Sequence, residues 1–240
     1  MKRRMNKLIL LIVGLMALQA NAQSIHVKLG YSNSNVKFSG LEEGESSYES
    51  NGGVFKESIN RKTVGGFNAA IGYEFGLSQR LSMFTGLNYQ KRGFQIEQIT
   101  DFSDDNAHSS SSSLLTINYH YLDLPIVLNT SIFSRENLNV YARTGVYLGY
   151  LLGANYRDQS TFTESDGVVD SYDESYKIGA SEINFSDGIT AGVLTGAGIE
   201  YRGFYLETNL KLGPQRLSNL GEETYMRDLN VMLGYKFKLN

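Results

Sequence analysis

The chain of 240 residues contains no cysteine and no tryptophan, and it contains only two prolines. Without cysteine there can be no disulfide, no thiolate metal site and no lipid-modified cysteine to anchor the mature chain. Without tryptophan, an aromatic belt at a membrane surface must come from the 16 tyrosines and 12 phenylalanines. Long apolar runs are also scarce, and none reaches the roughly 20 residues that a membrane-spanning helix needs.

The longest apolar run, Leu8–Leu18, lies near the start of the chain. Four cations precede it within the first seven residues, and the small-residue motif Ala20-Asn21-Ala22 follows it. This order is typical of a secretory signal peptide. We therefore predict a leader at residues 1–22, cleaved after Ala22, and a single domain at residues 23–240. A retained membrane helix is the alternative, and about eleven apolar residues are too few for it.

Removal of the four leader cations leaves 18 Lys and Arg against 25 Asp and Glu. A net acidic chain argues against nucleic acid as a partner.

The clearest pattern in the chain is strict alternation of apolar and polar side chains, which predicts β-strands. In the last segment Leu229, Leu233 and Phe237 belong to the apolar set, while glycine, amide and lysine side chains occupy the other. Eight segments show this pattern: Ile25–Tyr31, Phe67–Phe75, Leu81–Tyr89, Leu115–Leu128, Val140–Leu148, Ile189–Ile199, Phe204–Leu212 and Leu229–Leu239. The polar set suits a wet or ion-paired interior, with lipid outside.

The connections between these segments alternate long and short, as in bacterial outer-membrane barrels. The predicted fold class is therefore all-β, an eight-stranded antiparallel up-and-down transmembrane β-barrel. The four long connections are Ser39–Lys62, Gln95–Ser113, Gly153–Asp187 and Gly213–Arg227, with net charges of −2, −4, −6 and 0. Their composition predicts acidic, solvated loops that bury no core of their own. A soluble eight-stranded barrel is the alternative, but it would need a polar outward face.

Within the segment Leu115–Leu128, the apolar residues switch from odd-numbered to even-numbered positions. Ile117, Tyr119 and Tyr121 keep one alternation, whereas Leu122, Leu124, Ile126 and Leu128 keep the other. This predicts a bulge near Tyr121 or a sharp local twist.

The sequence contains few candidate residues for catalysis or metal binding. His108, Asp104, Asp105 and Ser109–Ser113 are the residue types of a hydrolytic triad, but a triad needs rigid support that a low-complexity loop rarely provides. Four acidic residues of the third loop offer oxygen ligands for Ca²⁺, without the regular spacing of a calcium loop: Asp166, Asp170, Asp173 and Glu174. We therefore expect no catalytic residue, no metal site and no cofactor.

Charged residues of the inward set predict a structural ion cluster inside the barrel, near the ends with short turns. Its members are Lys28, Glu74, Arg143, Glu200, Glu207 and Lys236. Large inward residues accompany them: Phe84, Tyr141, Tyr147, Tyr205 and Met232. Eight strands enclose a space just wide enough for side chains to fill, so we predict a sealed barrel.

Three stretches carry a resemblance to a known family: Tyr121–Leu128, the glycine-rich Gly192–Glu200, and Leu233–Phe237. They resemble the PorT-like outer-membrane β-barrel domain family common in Bacteroidota. The resemblance implies an eight-stranded outer-membrane barrel. Its expected partners are outer-membrane lipid and lipopolysaccharide and, during insertion, the outer-membrane assembly machinery. Outer-membrane strands usually finish on an aromatic residue that the assembly machinery recognises. Here Phe237 is followed by Lys238, Leu239 and Asn240, which departs from that pattern.

The expected function is non-enzymatic, either surface interaction with an extracellular protein or scaffolding of the envelope. Two alternatives stay open: an accessory component of a protein secretion apparatus, and a loop-based outer-membrane hydrolase.

Overall fold

The computed structural model describes residues 24–38, 44–50, 53–104, 107–164, 167, 169–179, 188–216 and 223–239. The predicted leader lies outside these ranges. The ten strands are β1 (Ser24–Phe38), β2 (Gly44–Ser50), β3 (Gly53–Gly76), β4 (Leu81–Ser103), β5 (His108–Arg135), β6 (Leu138–Glu164), β7 (Val169–Gly179), β8 (Ile189–Tyr201), β9 (Phe204–Arg216) and β10 (Glu223–Lys238). Within the described ranges, no helix is long and apolar enough to cross a membrane.

Eight of these strands form a closed antiparallel ring in the order β1-β10-β9-β8-β6-β5-β4-β3. Pairing of β1 with β3 closes the ring, with Ile25 opposite Tyr73 and Tyr31 opposite Phe67. All eight predicted segments lie in ring strands, which confirms the eight-stranded up-and-down barrel.

The alternation read from the sequence separates the inside of the barrel from the outside. In β10, Leu233 is 60% exposed, whereas its neighbour Met232 is 4% exposed. All five large residues predicted to face inward are buried. Because the outward face is apolar around the ring, the structure contradicts the soluble alternative.

Short turns join the strands at one end of the ring, here called the turn end. Arg202 and Gly203 form the two-residue turn between β8 and β9, with φ angles of 52° and 87°. Two positive φ angles in a two-residue hairpin loop indicate a type I′ turn, which suits the twist of the flanking strands. The turn between β5 and β6 is also two residues long, since Arg135 pairs with Leu138. The connection predicted between Leu128 and Val140 is therefore too long.

At the opposite end, the strands continue far beyond the segments predicted for them. The strands β3 to β6 contain 24, 23, 28 and 27 residues, whereas β8 and β9 contain 13 each. The extra length forms a sheet in the order β2-β3-β4-β5-β6-β7, which we call the panel.

The prediction that the first three long connections are solvated loops is therefore wrong for most of their described length. The physical reason is that the described part of each polar segment pairs with neighbouring strands, so that its backbone groups are satisfied within the sheet. Parts of the fourth segment are also strand, because Gly213–Arg216 pairs with Glu223–Met226.

The irregularity predicted near Tyr121 is confirmed, but its extra residue belongs to the neighbouring strand. His120 pairs with Gly153 and Tyr121 pairs with Leu151, so Leu152 of β6 is the bulged residue. Within β5 the alternation continues without interruption, since Ile117, Tyr119, Tyr121 and Asp123 are all buried. The phase change in the sequence therefore arises because the apolar residues of β5 face inward beside the panel and outward within the barrel.

Aromatic side chains line the outer surface of the barrel at both ends. At the turn end, Tyr235 packs edge-on against Phe204 and Phe237, with ring centroids 4.7 Å away in each case. At the panel end, the outward row contains Tyr89 and Tyr150, both opposite Leu122. Such belts mark the two interfaces of a membrane, and here tyrosine and phenylalanine form them.

Candidate functional site

The six charged residues predicted to cluster are brought together inside the turn end, in two adjoining groups that we call the turn-end cluster. In the first group, Lys28 Nζ lies 2.9 and 3.1 Å from the two carboxylate oxygens of Glu207, which also pairs with Arg143. In the second, Lys236 Nζ lies 2.7 Å from Glu74 and 3.3 Å from Glu200. Each carboxylate thus faces a cation across the lumen.

Polar and aromatic neighbours support this cluster. The carboxylate of Glu74 accepts hydrogen bonds from Ser82 and from Asn129 at 3.3 Å. The ammonium group of Lys28 lies 3.9 Å from the ring centroid of Phe84, a distance typical of a cation–π contact. Paired and hydrogen-bonded charges are the ones that a confined interior tolerates.

His26 is a member of the cluster that the sequence analysis did not include. Its Nε2 lies 2.9 Å from Glu74 and its Nδ1 lies 3.2 Å from the Tyr205 hydroxyl. The inward phase of His26 in the first strand was the available signal, because Lys28 occupies the same phase.

A second group of charges, here called the central cluster, lies farther along the lumen and was missed entirely. Arg92 forms a hydrogen bond with Asp123, and its Nε lies 2.9 Å from Asp228. Lys211 Nζ lies 2.7 Å from Asp123 and 2.6 Å from Gln90. Arg92, Asp123, Lys211 and Asp228 are all buried.

The central cluster was missed because two of its members stand outside the predicted strands. Arg92 and Asp228 lie just outside the segments in which apolar and polar residues clearly alternate. Both nevertheless continue the inward phase of β4 and β10, so extending the phase by three residues in β4 and by one residue in β10 would have found them.

An apolar layer lies in the lumen beside the panel. It consists of Phe94, Ile117, Tyr119, Tyr121, Leu151, Ala154 and Met226. The ring of Tyr121 also lies 4.8 Å from the guanidinium carbon of Arg92, which joins this layer to the central cluster. The lumen therefore contains a turn-end cluster, a central cluster and an apolar layer in succession.

A cavity of about 980 Å³ occupies the mouth of the barrel at the turn end. Charged residues of both signs line it, including His26, Glu74, Arg80, Arg202 and Lys236. A second, small space of about 20 Å³ lies deeper in the lumen, beside Phe84 and Lys211. The wide cavity thus ends at the packed interior.

The panel has two different faces. The face that continues the lumen carries aromatic pairs: Tyr48 stacks on Phe55 with ring centroids 5.1 Å apart, and Tyr156 stacks on Tyr176 at 4.8 Å with parallel planes. Tyr172 and Tyr176 of this inner face are each 52% exposed. The outer face is polar, with cross-strand ion pairs between Lys62 and Glu97 and between Arg157 and Asp173.

The residue types considered for a hydrolase do not form one group. Ser109–Ser113 lies within β5, where successive side chains point to opposite faces of the sheet. Asp104 accepts a hydrogen bond from the backbone N–H of Ala107 at 2.6 Å, as expected of a turn residue. Asp105 lies outside the described residues.

The acidic residues considered for Ca²⁺ are also spread over both faces. Asp173 lies on the outer face, where Arg157 donates hydrogen bonds to it at 2.6 and 3.0 Å and thereby lowers the pKa of Asp173. Asp170 and Glu174 occupy the opposite phase of β7, and Asp166 is not among the described residues. In the described ranges, no three His, Asp or Glu side chains are grouped as metal ligands.

Comparison with protein families decides the wider identity. The model of a family described as outer membrane protein beta-barrel domain matches residues 19–219. The chain belongs to this family. It is thus an outer-membrane protein, and in such barrels the short turns face the periplasm and the long connections face the exterior. The turn end is accordingly periplasmic, and the panel stands outside the cell.

Several solved structures are similar in fold. The attachment invasion locus protein Ail of Yersinia pestis, solved in complex with the heparin analogue sucrose octasulfate, has 16% identity and a TM-score of 0.38, covering 90% of this chain and 99% of Ail. OprG of Pseudomonas aeruginosa has 13% identity and a TM-score of 0.35, covering 91% of this chain and 98% of OprG. No curated protein matches the chain significantly.

Proposed function

We propose that this protein is a non-enzymatic, sealed outer-membrane barrel that holds the panel at the cell surface for interaction with an extracellular partner. The observation that carries the proposal is the inner face of the panel, where exposed aromatic rings stand on a sheet continuous with the barrel wall. Large exposed apolar surface rimmed by polar residues is typical of an interaction site. Continuous strands give this surface a rigid support that separate loops would lack.

The charges of the panel indicate the chemistry of the partner. Glu57, Asp158 and Glu174 share the inner face with the aromatic rings, and the predicted excess of negative charge lies in these segments. Aromatic faces and carboxylates both attract cations. The proposed partner therefore presents lysine or arginine side chains together with apolar groups.

Site-specific photo-crosslinking on whole cells tests this proposal. A photoreactive phenylalanine analogue at Tyr176, on the inner face, should capture a surface partner, whereas the same analogue at Ser175, on the outer face of the same strand, should capture none. Equal yields at both positions, or none at either, would contradict an interaction through the inner face.

A non-enzymatic role is supported by the placement of the candidate serines, which alternate between the two faces of β5. A serine-directed fluorophosphonate probe should leave Ser109–Ser113 unlabelled in the folded protein. Stoichiometric labelling of one of these serines, abolished by unfolding, would favour the hydrolase instead.

The second candidate function is a PorT-like accessory role in protein secretion, and the periplasmic cavity favours it. A mouth of about 980 Å³ lined by side chains of both charges can receive a segment of a periplasmic protein. Gentle detergent extraction followed by co-purification distinguishes the two functions. A periplasmic partner lost in the Arg80→Glu and Arg202→Glu double variant would support secretion, and its retention would argue against use of this cavity.

A further inference from the structure

We propose that the outer wall of the barrel carries a binding site for the phosphate of a glycolipid headgroup in the outer leaflet, formed by Lys91, His120, Asn155 and Lys177. This site lies on the lipid-facing surface, away from the inner face of the panel. It is therefore independent of the proposed surface interaction.

The position of the site follows from the strand register. Lys91 of β4 stands opposite His120 of β5, and Lys177 of β7 stands opposite Asn155 of β6. All four side chains have the outward phase of their strands. Lys91 is two residues beyond Tyr89 of the outer aromatic belt, which places the site at the level of lipid headgroups.

The side chains at the centre of the site are held in place by hydrogen bonds. The Nδ1 of His120 lies 2.6 Å from the Tyr89 hydroxyl, and its Nε2 lies 2.8 Å from the side-chain nitrogen of Asn155. The imidazole therefore links β4 to β6 across the outer surface. Gly153 stands opposite His120, so no side chain fills the space beside the imidazole on that strand.

Two positive charges flank this centre. Lys91 and Lys177 both lie near enough to the imidazole to interact electrostatically with it. Among the residues that the structure describes, no carboxylate pairs with either lysine, whereas Lys62 and Arg157 on the same outer face are paired with Glu97 and Asp173.

The local charge contrasts with that of the surrounding surface. The extracellular segments carry a net negative charge overall. The two unpaired lysines at headgroup level therefore have the opposite charge to the panel above them. In an outer membrane the abundant anion at that level is the phosphate of the glycolipid, and a juxtamembrane lysine attracts anionic lipid. Asn155 and the lysines supply the donors that phosphate oxygens accept.

Binding of bisphosphorylated lipid A to the purified full chain in a neutral detergent, followed by native mass spectrometry, tests the site. The Lys91→Ala and Lys177→Ala double variant should bind about thirtyfold more weakly, because each lysine near an anionic lipid contributes roughly a factor of five. The Lys91→Arg and Lys177→Arg variant should retain binding, since the charge is kept.

Matched controls separate this site from general attraction. The Lys56→Ala and Lys238→Ala variant removes the same charge from exposed positions elsewhere and should bind as the unaltered chain does. Dephosphorylated lipid A with the same acyl chains should bind weakly to every variant, and inorganic phosphate should not compete at millimolar concentration. Equal binding of the two lipids, or an equal loss in the control variant, would overturn the proposal.

Discussion

Single charged residues determine how the lumen of this barrel is filled. A buried charge is costly unless it is paired and hydrogen-bonded, and each ion in the turn-end and central clusters has a partner of opposite sign. Alternation alone allowed the turn-end cluster to be predicted, because its members lie within clearly alternating segments. His26 lies in such a segment and had the same signal, whereas Arg92 and Asp228 of the central cluster needed the inward phase to be followed beyond the predicted segments.

Removal of the central arginine should destabilise the protein strongly. Arg92→Met leaves the buried carboxylates of Asp123 and Asp228 without their shared cation, and loss of one partner from a buried ion pair typically costs about 3 to 5 kcal/mol. Urea unfolding from liposomes measures the change. Arg157→Met, which breaks the exposed pair with Asp173, is the control and should have little effect. Equal stabilities of the two variants would show that the central cluster adds nothing.

The outward phase predicts a different sensitivity. Leu233→Arg places a cation among lipid tails and should lower the free energy of unfolding by roughly 2 to 4 kcal/mol. Lys236→Arg, whose side chain points inward to Glu74 and Glu200, should cost little because the charge and its partners remain. Refolding titrations that rank the two variants in the opposite order would mean that the lipid and lumen faces have been exchanged.

Among the structural elements, the strands of the barrel could be predicted from the sequence, whereas the strands of the panel could not. Within the barrel one face meets lipid and the other meets charged groups, so the two sets of side chains differ sharply in polarity. In the panel both faces meet water, and serine, threonine and glutamine occur on each, so alternation fades. The rings of Phe55 and Phe102, with centroids 4.7 Å apart, were the remaining sign of an ordered inner face.

The bulge at Leu152 predicts that β6 tolerates one particular deletion. Removal of Leu152 would leave Leu151 and Gly153 in register with Tyr121 and His120, so every side chain beyond it would keep its face. Removal of Thr144, within the regular part of β6, would reverse every side chain on one side of the deletion. The heat-modifiable mobility of folded barrels on gels distinguishes the outcomes: the first deletion should fold and the second should not. Failure of both would assign the bulge residue a role in folding.

The hairpin of β6 and β7 should lose an ion pair in acid. Hydrogen bonding to Arg157 lowers the pKa of Asp173 in the folded state, so the pair stabilises the hairpin above the unfolded pKa. That stabilisation is lost as the pH falls through the lower, folded pKa. Hydrogen exchange of β7 amides, corrected for intrinsic rates, should therefore accelerate below about pH 4. In Asp173→Asn this pH dependence should be absent, and its persistence would assign the effect to another group.

In the molecule as a whole, the periplasmic end and the extracellular end of the barrel differ in structure. The wide periplasmic cavity stops at packed, ion-paired side chains, and the apolar layer separates those charges from the exterior. The clusters thus join opposite walls of the ring of strands, while the surfaces proposed for binding lie at the panel and on the outer wall. The barrel fold could be predicted from the alternation of side chains and the lengths of the connections. The proposed binding surfaces could not, because they depend on which residues the strand register places side by side.

This arrangement predicts that the purified barrel does not conduct ions in planar bilayers. A free path for hydrated ions would have to pass both the central cluster and the apolar layer, where Arg92, Asp123 and Phe94 are at most 1% exposed. The double variant Phe94→Ala and Tyr121→Ala, which empties much of the apolar layer, should produce brief openings, because water would then reach the charges beneath. The control Phe204→Ala and Tyr235→Ala removes as many rings from the outer surface and should stay silent. A steady, large conductance from the unaltered protein would refute the sealed barrel and assign the protein a porin function.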